Sequence, residues 1–84
     1  MATWVARTSR WALVTHVAIR VADGAVAAGE ESRRVSADRY REGVIPSSEL
    51  LDAEIALLEA GLERTRALAA ARLAAAELDR AVGR

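Results

Sequence analysis

Apolar and small positions recur along this chain at three- and four-residue steps, the period of an amphipathic helix. Val14, Val17, Ala18, Val21, Ala25, Ala28, Ser32 and Val35 form one stripe. Ile19, Ala22, Val26, Arg33, Ala37 and Tyr40 form a second, offset one. The pattern halts at Gly43 and resumes after Pro46. Beyond it, Leu51, Ile55, Leu58, Leu62, Thr65, Ala69, Leu73 and Ala76 make one stripe, and Leu50, Leu57, Gly61, Leu68, Ala71, Ala75, Leu78 and Val82 make another. No period-two alternation of the kind that marks a strand is present. The pattern predicts an all-α chain folded as an antiparallel two-helix hairpin, coiled-coil-like, with residues 1–84 as one unit. The first arm covers about 3–42, the turn 43–46 and the second arm about 47–82.

Turn chemistry supports this division. Gly43 follows the last periodic residues of the first arm, where glycine serves as a left-handed helix cap. Val44 and Ile45 bridge to Pro46, which cannot extend the first helix but suits the start of the next. Ser47 or Ser48 is the expected cap of the second arm, with Glu49 placed where the helix dipole favours an anion. So short a connection joins antiparallel neighbours. Within the first arm, Asp23-Gly24 is compatible with a turn that would split it. The apolar register does not slip across Gly24 or Gly29, which predicts a continuous helix with a small-residue patch for close approach by a neighbour.

Composition narrows the functional classes. With 4% aromatic residues and no phenylalanine, the apolar content is mostly alanine, leucine and valine. These suit slender, closely packed helices better than a thick core. An isolated hairpin cannot cover two stripes on each arm, so the uncovered faces predict self-association. Leu51, Ile55, Leu58, Leu62 and Leu73 are the expected helix-packing residues. Twelve basic and twelve acidic residues cancel. They are interleaved, which argues against a nucleic-acid partner. Glu30 is expected to pair with Arg33 and Arg34, and Arg34 with Asp38.

Candidate chemistry is sparse. Without cysteine there is neither a disulfide framework nor a thiolate metal site. His16 is the only histidine and has no convergent carboxylates, as a metal ligand or general base requires. Glu59 and Glu63 lie four apart beside Arg66, the pattern of a solvated charged face. No enzymatic role, cofactor or metal is therefore expected. Trp4 and Trp11 sit seven apart on nearly one face, as an anchor or as packing on a neighbouring helix. No uninterrupted apolar run reaches the ~18–20 residues of a membrane span. Thr15, His16 and Arg20 interrupt the N-terminal segment, which reads as the start of a helix rather than as an export signal.

One stretch carries more than periodicity. Arg39-Tyr40, then Gly43, then Glu49-Leu50-Leu51-Asp52-Ala53, followed by Leu57, Ala60, Ala67, Ala74, Leu78, Ala81 and Gly83, resembles the C-terminal repeat of the TolC-like outer-membrane efflux channel family. The resemblance covers about 17–84 and is clearest over 39–83. It implies a helix-turn-helix of a periplasmic α-barrel, in a trimer whose subunits each supply two repeats. It further implies that the tip contacts a periplasmic adaptor protein, with Arg39, Tyr40, Gly43, Val44, Ile45, Pro46 and Ser47 as the docking residues. The implied location is the cell outer membrane with its periplasmic tunnel. Pro46 departs from the small polar residue common in the family, which shifts the expected cap to Ser47. The chain shows neither barrel strands nor a first repeat, so it is expected to be a segment of such a channel. The competing expectation is a small soluble hairpin forming a homo-oligomeric bundle, cytoplasmic and without channel activity.

Overall fold

Gly24 does not break the first arm. In a computed structural model, which describes the backbone of residues 2–83 and the side chains of Arg7 and of 10–83, α1 runs without interruption over Ala2–Arg41 and α2 over Ser47–Ala81. The Trp4 side chain lies outside the described residues. The helices pack against each other as an antiparallel hairpin, a rod of 63 × 18 × 13 Å. Its proportions follow from the helical rise of ~1.5 Å per residue acting on two arms of similar length. No strand occurs among the described residues.

The inter-helix seam is narrow. In α1 it includes half-buried Thr15, Ile19, Val26, Gly29 and Ser36, with Ala22 the one buried residue among those described. In α2 it includes half-buried Leu50, Ala53, Leu57, Ala60, Ala67, Ala71 and Ala74. Steps of four and three, or their sum of seven, separate the members of both lists, as in a coiled-coil seam. Register is fixed where Gly29 meets Leu57: a Cβ built on Gly29 would lie 3.3 Å from Leu57 Cδ1 and 3.4 Å from its Cα. An antiparallel pair in that register sets Val26 level with Ala60, Ile19 with Ala67 and Ser36 with Leu50. Large side chains thus stand opposite small ones, which lets the axes approach without voids. The glycine patch is therefore split in use. Gly29 admits Leu57, whereas Gly24 has nothing within 4 Å of a Cβ position.

The seam belongs to the stripes that begin at Ile19 and Leu50. The expected packing residues Leu51, Ile55, Leu58, Leu62 and Leu73 do not enter it. They stay 43–68% exposed. The reason is angular: Leu51 and Leu58 each follow a seam residue by one position, and one residue rotates the side chain by about 100° on a helix of 3.6 residues per turn. On α1 the outer stripe is displaced the other way, since Val14, Val21, Ala28 and Val35 each precede a seam position. Because the helices run antiparallel, a step back on one and a step forward on the other point to opposite flanks of the hairpin. Val14, Val17 and Val21 are 50–66% exposed on their flank.

Charged side chains decorate the rest. Arg34 pairs with Glu31 at 2.6 Å and with Asp38 at 3.2 Å, and Arg41 pairs with Asp38 at 3.0 Å. The Arg34–Asp38 pair is as expected, but Glu31 rather than Glu30 is the partner on the other side. One pair crosses between the arms: Arg64 Nε donates to Asp23 Oδ1 at 2.5 Å. Its groups are about half exposed, so screening keeps the contribution small. Hydrogen bonding and the charge of Arg34 hold the Glu31 carboxyl below its ordinary value. A carboxyl depressed by folding contributes stability above the ordinary carboxylate range and loses it as pH falls through the folded value. A small loss of helicity on acidification is therefore expected by circular dichroism, and Glu31→Gln should reduce its amplitude.

Candidate docking tip

At the closed end of the rod the chain reverses over Glu42–Pro46. Gly43 has φ 75°, in the left-handed region that glycine enters without a Cβ penalty. Its N–H donates to the Tyr40 carbonyl at 3.0 Å, and the Val44 N–H donates to the Arg39 carbonyl at 2.9 Å. These two bonds make a Schellman cap, which satisfies carbonyls that the end of α1 would otherwise leave open. The cap expected from Gly43 is thus present.

The start of α2 differs from expectation. Pro46, not Ser47 or Ser48, is the N-cap, with φ −73° and ψ 161° and no side-chain cap bond. An N-cap residue keeps extended geometry while its carbonyl accepts the first bond of the helix. Pro46 meets both conditions, since its ring fixes φ and its carbonyl accepts from the Glu49 N–H at 3.1 Å. Ser47 is consequently already helical.

The tip therefore brings the seven expected docking residues together within one rigid corner, with unequal exposure. Tyr40 is 45% exposed and Val44 67%. Arg39, Gly43, Pro46 and Ser47 are exposed, while Ile45 is half-buried. Arg41 is held by Asp38, whereas Arg39 makes no ion pair among the described residues. The tip thus offers a phenol, an aliphatic side chain and a guanidinium to solvent, on a backbone fixed at both helix ends.

Other candidates do not converge. His16 and Glu59 are exposed, and Glu63 pairs with Arg66 through Oε1 and Nη1. No group of three histidine, cysteine, aspartate or glutamate side chains comes together among the described residues. Trp11, 62% exposed, borders a groove of about 580 Å³ at the open end of the rod, lined also by Ala12, Thr15, Ala71, Ala74 and Leu78. Within α1, the segment Arg10–Arg41 contains a stretch long and apolar enough to cross a membrane by length and mean hydropathy. Arg20 and Asp23 interrupt that stretch, and its apolar character follows from two apolar stripes on one helix. The Asp23–Arg64 pair escaped sequence reading. Counting back from the Gly43 turn in an antiparallel register was the signal that could have found it.

Comparison with protein-family models, with curated proteins and with solved structures returns no match to this chain.

Proposed function

We propose that this hairpin is a segment of a TolC-like outer-membrane efflux channel, standing in the wall of its periplasmic tunnel, with the tip contacting a periplasmic adaptor protein. The role is structural and serves transport. The observation that carries it is the tip: the Arg39-Tyr40-x-x-Gly43 stretch forms a rigid Schellman-capped corner at the end of a 63 Å rod, with Tyr40 and Val44 exposed. A wall of helices needs apolar flanks on both sides of each hairpin, and the outer stripes lie on opposite flanks. A closed bundle of two hairpins would cover only one flank of each, which favours the wall over the bundle. In the channel family such hairpins belong to trimers, and the same assembly is proposed here.

The test is binding of the chain to the helical-hairpin end of an adaptor. Gly43→Pro cannot adopt positive φ or donate to Tyr40, so it is expected to abolish binding while both arms stay helical. Equal binding by that variant would overturn the docking role.

A further inference from the structure

The balanced charge of the chain hides an asymmetry. Residues 1–22 carry Arg7, Arg10 and Arg20 and no acid, whereas residues 23–84 carry nine arginines against twelve acids. A segment with such a bias fits an anionic partner.

The fold places these arginines around an apolar surface. Leu13, Val17 and Arg20 each stand two residues before a seam position, Thr15, Ile19 and Ala22. Two residues turn a side chain by about 200°, so all three point away from α2. Val14 and Val21 flank them, and Arg10 lies three and four residues before Leu13 and Val14 on the same face. Leu13, Val14, Val17 and Val21 are 50–66% exposed, and α2 covers none of them. Arg10 and Arg20 bracket the patch ~15 Å apart along the helix. The first acid, Asp23, is held by Arg64 on α2. Towards the tip the outer side chains of α1 become small, at Ala25, Ala28 and Ser32, and Glu31 brings a carboxylate, so that part is left to protein neighbours.

A nucleic acid would use the arginines and leave the leucine and valines idle. A bilayer surface uses both: apolar side chains sink to the boundary of headgroups and acyl chains, while arginine stems lie along them and the guanidiniums reach phosphates. The stretch within Arg10–Arg41 is apolar enough to span a membrane. Arg20 at its middle and the Asp23–Arg64 pair that ties it to α2 make lying on the surface the cheaper state. We infer that the outer face of α1 at the open end of the rod, from Arg10 to Val21, lies on a bilayer surface rich in anionic lipid. This goes beyond the docking reading and does not depend on it, since the tip is at the other end.

The full chain is sedimented with vesicles of phosphatidylcholine, with and without phosphatidylglycerol. Each arginine near an anionic surface contributes about fivefold, so partitioning should rise at least ~10-fold with phosphatidylglycerol. Arg10→Gln with Arg20→Gln should remove most of that rise. Leu13→Ser with Val17→Ser, at unchanged charge, should weaken binding several-fold. All four positions are exposed and outside the seam, so helicity by circular dichroism should match the native chain. With no native cysteine, an environment-sensitive dye on Val17→Cys should shift to the blue on anionic vesicles, and one on Glu59→Cys should not. Equal binding to both vesicles, or indifference to either pair of substitutions, would overturn the inference. The assay contains no adaptor, so its failure leaves docking at the tip standing, and failure of docking leaves vesicle binding standing.

Discussion

Gly43→Ala is expected to lower the thermal midpoint of the hairpin and to do so more than Gly43→Asn. The residue sits at φ 75°. A Cβ in the left-handed region costs ~1–2 kcal/mol, and a domain of this size loses about 4–8 °C for each kcal/mol. Asparagine tolerates that region better than alanine, so its loss should be the smaller. Nothing lies within 4 Å of a Cβ at Gly43, so the penalty is conformational rather than steric. That separates the expectation from ordinary crowding. Gly43→Pro should go further, since it also removes the donor to the Tyr40 carbonyl. Thermal unfolding followed by circular dichroism reads all three. Alanine and asparagine variants of equal stability would mean that the left-handed cap is not what holds the corner.

Gly29→Leu is expected to destabilise the hairpin, although glycine inside a helix is normally unfavourable. Replacing a helix-interior glycine gains up to ~1 kcal/mol of propensity. At Gly29 even a Cβ would stand 3.3 Å from Leu57 Cδ1, with the Leu57 Cα at 3.4 Å. Leu57 Cδ1 can swing aside for one methyl, but no rotamer of Leu57 moves its backbone. A leucine would therefore push the arms apart, an overpacking cost of typically ~1–3 kcal/mol. Gly24→Ala and Gly61→Ala are the controls. Both positions have open space, and each substitution should stabilise by up to ~1 kcal/mol. Thermal midpoints rising for Gly24→Ala and Gly61→Ala and falling for Gly29→Leu would locate the close approach at Gly29 alone. A stabilised Gly29→Leu would mean that the arms do not meet in this register.

These two glycines show where sequence reading succeeds and where it stops. Gly43 was legible because a helix stop, a short bridge and a helix start converge on it, and each is a local signal. The arms were legible because their period is local too. Which stripe on each arm forms the seam was not. Leu51, Ile55, Leu58, Leu62 and Leu73 are the larger side chains, and size alone nominates them for packing. The seam instead sets large against small across the arms, as at Gly29 and Leu57, which is a property of the register rather than of either stripe. The cap of α2 was missed for a related reason. Serine is the stronger side-chain cap, but the proline before it already holds the extended geometry and supplies the carbonyl that accepts from Glu49. The docking residues were legible as a group because the turn that exposes them also brings them together. Their unequal exposure, with Ile45 turned partly inward, depends on how the cap folds the bridge back onto the arms.

The docking role rests on the tip rather than the flanks, and that distinction can be measured. Chains carrying a single thiol at Val44 or at Leu58 would be labelled with a short cross-linker and mixed with the helical-hairpin end of a periplasmic adaptor. Both side chains are about two-thirds exposed, so accessibility alone does not favour either. The proposed function predicts strong cross-linking from Val44→Cys and little from Leu58→Cys. Equal yields from the two positions, or none from Val44→Cys, would contradict it.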